Sequence, residues 1–290
     1  MTGVGITFLG RTARALGLVL LATLGTIAFT RLAPGYFTDT RELDAQYSSV
    51  AREQLAAQHQ HEASLVATIA AQLGHWAHGD LGKSRHFDVP VSMLLRERTF
   101  ATAKILATGI FAGWLLALML ALPLSARRGL RGETLIAFPV ALLLSVPVGA
   151  LATTCLLLNT GGPIVVLTLL ITTRDFKFIY RLIRHVARAP QVLFARAQGL
   201  SSMQIVRAQI VPSLGPELLA LAVTSFTVAL SIAVPVEVIF DVPGLGQLAW
   251  NAAMNRDLPV LLAVTVIMAT VVAVAMLFAQ PSPTQEAACA

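Results

Sequence analysis

Apolar residues in this chain gather into long runs that are separated by shorter polar stretches. Six runs stand out, at residues 15–32, 100–124, 134–158, 163–180, 216–234 and 258–279. An α-helix needs roughly 20 mainly apolar residues to cross a bilayer, and the run at 163–180 meets this need least well. The pattern predicts an all-α, polytopic membrane protein with about six transmembrane helices.

The composition supports this class of protein. Hydrophobic residues make up 56% of the chain and charged residues only 12%, whereas an ordinary soluble domain is about 25% charged. The mean hydropathy of +0.74 points the same way. The net charge of +6 is not accompanied by a pattern of interleaved basic and aromatic residues, so we do not expect the protein to bind nucleic acid.

The first apolar run has a second interpretation, as a secretory signal peptide, because Arg11 and Arg14 precede it. The stretch Ala33-Pro34-Gly35 that follows is a poor cleavage site. We therefore expect an uncleaved first transmembrane helix within an N-terminal region of residues 1–33.

Basic residues near the ends of the runs predict the orientation in the membrane. With six spans, three groups of arginines fall on one side: Arg11 and Arg14; Arg127, Arg128 and Arg131; and Arg181, Arg184, Arg188, Arg196 and Arg207. That side is predicted to be the cytoplasm, which also places both termini there. The segment 34–98 is basic as well, but long loops cross the membrane largely regardless of charge.

We expect this segment, residues 34–98, to be extracytoplasmic and helical. Its residues 42–73 are rich in Ala, Gln, Leu and Glu with spaced apolar positions, which predicts one or two amphipathic helices. A glycine-rich break follows, and a short helix beginning near Val91 is predicted to lead into the second run. Residues 99–280 then form the transmembrane domain, and residues 281–290 a disordered tail.

No Ser/His/Asp, Cys/His or paired-carboxylate pattern typical of catalysis occurs in the apolar runs. The tripeptide Gly82-Lys83-Ser84 is like the end of a phosphate-binding loop, but Ala77 stands where such a loop needs its first glycine. The chain is therefore not predicted to be an enzyme, and in particular not an ATPase.

Five histidines lie in the extracytoplasmic segment: His59, His61, His75, His78 and His86. His75 and His78 share a helical face and have the chemistry to bind a transition metal, but solvated helix surface is the alternative and no metal site is assigned. Cys155 is expected near the outer end of the third run and Cys289 in the cytoplasmic tail, too far apart for a disulfide within one chain.

Charged residues occur at two places in or next to the runs, and because ionisable groups in a membrane are costly, each place has two possible roles. Arg174, Asp175 and Lys177 fall in the cytoplasmic half of the fourth run and either pair near the interface or line a pore. Glu237, near the outer end of the fifth run, belongs either to a transport pathway or to a structural contact.

The segment 192–207 between the fourth and fifth runs predicts a rigid elbow on the cytoplasmic side. Leu193, Ala197 and Leu200 fall near one face of a short helix. Gly199 suits the left-handed turn that ends such a helix, and Ser201 with Gln204 forms a capping box that starts the next one.

The elbow resembles the ATPase-coupling motif of the permease subunits of binding-protein-dependent ATP-binding-cassette (ABC) importers, and most closely the first permease of the dipeptide/oligopeptide/nickel family. The residues that carry this likeness are Ala195, Arg196, Ala197, Gln198, Gly199, Leu200 and Ser201, with Gln198 in place of the usual lysine. Four further stretches are similar to that family, in its order and spacing: Gly79 to Ser84 with Pro90, Val91, Arg98 and Thr102; Tyr180 to Arg184; Glu237, Phe240, Pro243, Gly244, Leu245 and Gly246; and Arg256, Asp257 and Pro259.

The resemblance implies a type I ABC importer permease fold in a bacterial inner membrane, with this chain forming half of a pore for peptides or similar small solutes. It also implies a second homologous permease, two cytoplasmic ATPases, an extracytoplasmic binding protein and no cofactor or metal. The segment 195–200 is implied to contact an ATPase. The outer gate or loop is implied to contain Glu237, Phe240, Pro243, Gly244, Gly246, Arg256 and Asp257.

A self-sufficient secondary transporter or channel is the alternative. Secondary transporters usually contain internal repeats with broken helices around a site at the middle of the membrane. Neither feature is visible in this sequence.

Overall fold

The computed structural model describes residues 2–32, 80–126, 142–187, 189–205 and 211–279, together with Gly74, Trp76 and Val140. Several predictions fall outside these residues and keep the status of predictions. They concern the amphipathic helices at 42–73, His59, His61, His75, His78, Cys289 and the tail 281–290.

Within the described residues the chain forms nine helices and no strand, apart from one isolated β-bridge between Lys83 and Pro90. The helices are α1 (Thr2–Leu32), α2 (Val91–Ala126), α3 (Val148–Leu157), α4 (Pro163–Ala187), α5 (Pro190–Ala197), α6 (Ser202–Ile205), α7 (Val211–Ile239), α8 (Leu245–Met254) and α9 (Leu258–Ala279). The prediction of an all-α protein is confirmed. Four helices are long and apolar enough to cross a membrane, and they are α1, α2, α7 and α9.

The third predicted run is not one continuous helix. Residues 142–145 are helical, the chain then leaves the helix at Val146 and Pro147, and α3 begins at Val148. Proline has no N–H to donate within a helix, and Pro147 accordingly precedes the first residue of α3 with a ψ of 139°. The expected single span at 134–158 is therefore corrected: it is interrupted at Val146 and Pro147, between the helical residues 142–145 and the 10-residue α3.

Two other helices are longer than predicted. α2 has 36 residues and runs unbroken from Val91, so the separate short helix expected there is wrong. At 1.5 Å per residue α2 is about 54 Å long and extends well beyond a hydrocarbon core of about 30 Å. α4 has 25 residues and continues past the predicted end at Tyr180 to Ala187, carrying the chain directly to the elbow.

Small residues allow α2 and α4 to pack closely. Gly109 and Gly113, one helical turn apart, both face α4, and a Cβ atom on Gly113 would lie 2.8 Å from Cγ2 of Ile171. The hydroxyl of Thr172 also donates to the carbonyl oxygen of Gly113 at 3.2 Å. This is the small-xxx-small packing of membrane helices, and α7 covers the same core through buried Ala229 and Ala233.

Candidate functional site

The elbow consists of α5, the turn at Gly199 and α6. Gly199 has a φ of +81°, which confirms the predicted left-handed turn. The N–H of Leu200 donates to the carbonyl oxygen of Ala195 at 3.3 Å and that of Gln198 to Phe194 at 3.0 Å. This pattern is the Schellman ending of a helix, so the direction of the chain after α5 is defined by backbone hydrogen bonds.

The start of α6 is closed by the predicted capping box. The N–H of Ser201 donates to Oε1 of Gln204 at 2.9 Å, and the N–H of Gln204 lies 3.4 Å from Oγ of Ser201. Two side chains three positions apart thus satisfy each other's backbone N–H groups. The turn between α5 and α6 is therefore held by local contacts on both sides.

Among the described side chains, the face of the elbow that carries Ala197 and Leu200 is not the face that packs inside the elbow. Ala197 is exposed and Leu200 is 38% exposed, whereas the buried positions of α5 are Val192 and Ala195. These two pack against Ile205 of α6, and it is this contact that decides which face of α5 is hidden. A further side chain, Phe194, is 66% exposed.

The outer cluster comprises Thr102, Glu237, Leu245, Gly246 and Gln247. Glu237 is fully buried; its Oε1 accepts the Thr102 hydroxyl at 2.7 Å, and its Oε2 accepts the N–H groups of Gly246 at 2.7 Å and Gln247 at 3.3 Å. Oγ1 of Thr102 in turn accepts the N–H of Leu245 at 2.7 Å. Of the two alternatives for Glu237, the structure supports a structural contact.

These N–H groups are the first three of α8, and in most helices the side chain of the residue before the helix accepts such bonds. Here that residue is Gly244, which has no side chain to do so. The carboxylate of Glu237 takes its place and also lies at the positive end of the helix dipole. The end of α7 and the start of α8 are therefore joined through the buried carboxylate of Glu237.

Steric contacts explain why glycine stands at positions 244 and 246 of this motif. A Cβ atom on Gly244 would overlap the carboxylate of Glu237, and one on Gly246 would lie 2.6 Å from Cα of Val234. Phe240 is partly buried against the α3–α4–α7 core, while Pro243 is exposed. Of the predicted outer-loop residues in this motif, Pro243 thus lies most openly on the surface.

Asp257 joins the segment before α2 to the start of α9. It is 1% exposed, and its Oδ2 accepts the hydroxyl of Ser84 at 2.5 Å and the N–H of His86 at 3.2 Å. Ser84 and Asp257 are 173 positions apart, so two stretches of the predicted family motif meet in space. Arg256 beside them is exposed.

Gln247 was not predicted from the sequence. Its Oε1 accepts a hydrogen bond from Arg98 at 2.7 Å and its Nε2 donates to Asp241 at 2.5 Å. Arg98 belongs to α2 and Asp241 follows α7, so Gln247 connects three elements. The only feature of the sequence that could have pointed to Gln247 is its position directly after Gly246, the last glycine of the motif.

The inner cluster comprises Trp114, Asp175 and Ser225, one residue each from α2, α4 and α7. Asp175 is fully buried; it accepts the indole N–H of Trp114 at 3.0 Å and the Ser225 hydroxyl at 2.5 Å. Arg174, with 29% of its side chain exposed, lies 3.3 Å away. The pore-lining interpretation of Asp175 is therefore wrong. Trp114 and Ser225 were missed, because no local pattern marks partners from different helices.

A cavity of about 390 Å³ lies between α2, α7 and α9. It reaches from Thr102 and Leu245 of the outer cluster to Ile110 and Phe226, near the inner cluster, with Met268 on the α9 side. The Thr102 hydroxyl is already engaged with Glu237, so the cavity presents an apolar surface. Its size lies within the range of small-molecule sites.

Among the described residues, no group of three or more His, Cys, Asp or Glu side chains is placed to hold a metal ion. Cys155 is a free thiol that is partly exposed.

Comparison with known proteins identifies the family of this chain. The model of the family described as "Binding-protein-dependent transport system inner membrane component" matches residues 108–280, more than half of the chain. The chain therefore belongs to this family, whose members are the multi-pass permease components of ABC importers. Membership implies partner ATPases and a substrate-binding protein in general.

A curated relative covers nearly the whole length. It is the "Probable peptide ABC transporter permease protein y4tP" of Sinorhizobium fredii (strain NBRC 101917 / NGR234). The two are 25% identical over 296 aligned positions, which include 91% of this chain and 92% of the relative. The similarity thus extends beyond the matched family region to the N-terminal third.

Proposed function

We propose that this chain forms half of the pore of an ATP-driven importer for peptides or similar small solutes. The observation that carries the proposal is the elbow, which continues α4, is closed by its own hydrogen bonds and exposes apolar side chains at Phe194 and Leu200. A surface of this kind is suited to contact a second protein. Peptides are favoured as cargo by the name of the relative.

The elbow is the contact for a cytoplasmic ATPase. Gln198 and Leu200 would touch that partner, because both are exposed, and Arg196 belongs to the same short helix α5. Ala195 has a different role, since it is buried between α5 and α6 and holds the elbow together. Gly199 sets the angle between the two helices.

The mechanism requires no covalent chemistry in this chain, which is therefore not an enzyme. When two ATPases close on ATP, the elbow is displaced as a rigid body and the packed helices switch between inward-open and outward-open arrangements, a two-state change. The second half of the pore is a homologous permease. The cargo that we propose for this importer includes dipeptides and nickel complexes.

The outer cluster faces the extracytoplasmic binding protein. Buried Glu237 of this cluster and buried Asp257 before α9 shape the surface, and the exposed Pro243 and Arg256 meet the partner. In this orientation both termini are cytoplasmic, residues 34–98 are extracytoplasmic and residues 99–280 form the transmembrane domain in a bacterial inner membrane.

The test is purification of the assembly from its own cells through an affinity tag on this chain. We expect two ATPases and a second permease to copurify and the assembly to hydrolyse ATP, while this chain alone hydrolyses none. Uptake of labelled di-, tri- and hexapeptides and of nickel is then compared between wild-type cells and cells without this gene. Uptake driven by an ion gradient without ATP would instead support a secondary transporter.

A further inference from the structure

α2 and α7 are joined by buried polar contacts at two levels. At the outer level the Thr102 hydroxyl donates to Glu237 at 2.7 Å. At the inner level the indole N–H of Trp114 lies 3.3 Å from Oγ of Ser225, and both groups donate to Asp175 of α4. The helices are antiparallel, since α2 approaches the elbow side as α7 leaves it.

The two levels are equally spaced on both helices. Trp114 lies twelve positions after Thr102, and Glu237 lies twelve positions after Ser225. At 1.5 Å per residue the levels lie about 18 Å apart. The Gly109–Gly113 contact with α4 falls between them, so α2 is also held against α4 within this interval.

Breaking either level would leave a buried carboxylate with fewer donors. Thr102 is 2% exposed, and Asp175, Ser225 and Glu237 are not exposed at all. Buried polar groups without partners are costly in protein interiors, and the hydrocarbon region offers no water as a substitute. Sliding or tilting of α2 against α7 has to break at least one level.

The contacts of α9 with α2 and α7 differ from the contacts between α2 and α7. Among the described residues, no side-chain hydrogen bond joins α9 to α2 or to α7; Thr265, for example, bonds only to Leu261 of its own helix. α9 nevertheless forms the third wall of the 390 Å³ cavity, through Ile267, Met268 and Val271. The start of α9 is fixed by Asp257, which accepts hydrogen bonds from Ser84 and His86. Beyond that point the wall that α9 gives to the cavity is apolar, so it can shift by exchanging one apolar contact for another.

We propose that the two levels hold α2 and α7 as one rigid pair, and that the cavity changes shape by movement of α9 against this pair. Asp175 and Ser225 are then positioning residues, because they transmit displacement of the elbow through α4 and α7 to the outer cluster. The inference rests on the proposed function, in which ATPase closure displaces the elbow.

The experiment measures distances between spin labels in the assembled importer, in a background where Cys155 and Cys289 are replaced by serine. One pair joins Met119→Cys on α2 to Leu219→Cys on α7, and the other joins Met119→Cys to Phe278→Cys on α9. The native residues at these positions are 64%, 53% and 67% exposed. Each pair is measured without nucleotide and after trapping with ATP and vanadate.

In the wild-type background we expect the α2–α7 distance to stay the same in both states and the α2–α9 distance to shift. Ser225→Ala is expected to make the α2–α7 distance broader and dependent on nucleotide. Ser231→Ala is the matched control on the same helix, because this exposed hydroxyl bonds only to the carbonyl oxygen of Thr227.

A nucleotide-dependent α2–α7 distance in the wild type overturns the inference, as does an unchanged α2–α9 distance. Equal behaviour of Ser225→Ala and Ser231→Ala also counts against it. If Ser225→Ala does not reach the membrane, the α2–α7 and α2–α9 distances in the wild type still test the inference. Failure of the proposed function is recognised separately, by an assembly that contains no ATP-hydrolysing subunit.

Discussion

The hydroxyl of Thr102 donates to Oε1 of Glu237 at 2.7 Å across 135 positions of the chain. Oγ1 of Thr102 also accepts the N–H of Leu245 at the start of α8. One threonine thus joins α2, α7 and α8. The charged residue of the outer motif is enclosed by these contacts, so its role is to hold the outer surface in shape.

Thr102→Val keeps the size of the side chain but removes both hydrogen bonds. We expect a loss of about 1 to 3 kcal/mol in the free energy of unfolding, because a buried carboxylate oxygen and a helix N–H lose their partner. Thermal unfolding of the purified protein in detergent measures the effect. Thr108→Val is the control, since the Thr108 hydroxyl bonds only within its own helix; equal losses in both variants would contradict the assignment.

Gly246→Ala should destabilise the protein by about 1 to 3 kcal/mol, the usual range for overpacking. The new methyl group would lie 2.6 Å from the backbone of Val234, which cannot move without displacing Glu237. Gly215→Ala is the comparison, because a Cβ atom there meets nothing within 4 Å. A melting temperature for Gly246→Ala equal to that of Gly215→Ala would refute the steric argument.

Gly199→Val should abolish ATP-driven uptake while the protein still reaches the membrane. Valine at a φ of +81° is strained, by about 1 to 2 kcal/mol, and the elbow would change its angle while the distant membrane core stays intact. Uptake by whole cells and immunoblots of membranes measure the two effects. Gly215→Val is the control, and normal uptake by Gly199→Val would remove the coupling role.

The contact between Gly113 and Ile171 predicts a compensating pair of substitutions. Gly113→Ala alone should destabilise the protein because its methyl group would lie 2.8 Å from Cγ2 of Ile171. In the background of Ile171→Gly, which removes Cγ2 and also the Cβ atom 2.9 Å from the new methyl group, that clash is gone, so adding Gly113→Ala should have a smaller effect there. A double-mutant cycle of melting temperatures tests this, and strictly additive effects would argue against direct contact.

Orientation in the membrane is tested by chemical labelling, again without the native cysteines. Gln198→Cys on the elbow should react with an impermeant maleimide only after the cells are opened. Met254→Cys on α8, where the native side chain is 66% exposed, should react in intact spheroplasts. Labelling of position 198 from outside would reverse the proposed topology and remove the ATPase contact.

Features that depend on neighbouring residues were predictable. The turn at Gly199 and the capping box of Ser201 and Gln204 are decided by atoms within a few positions of each other, and the structure has both. The buried face of α5 was not predicted, because Ile205 of the next helix decides it. A short amphipathic pattern does not reveal which side the neighbouring helix covers.

The roles of the charged membrane residues were not predictable for the same reason. Asp175 and Glu237 could be recognised as unusual, but their partners come from other helices, 61 positions away for Trp114 and 135 for Thr102. Pro147, in turn, lies inside an apolar run, and proline is tolerated in many membrane helices. Only the folded chain distinguishes a continuous span from one that is broken there.

The sequence by itself determined that this protein is helical and crosses a membrane, because long apolar runs are stable in a bilayer only when each helix satisfies its own backbone hydrogen bonds. It also determined the elbow and the family to which the chain belongs. The tertiary structure alone decided which polar groups meet between helices and which glycines permit close packing. Those contacts depend on distances in space, and separation along the chain does not specify them.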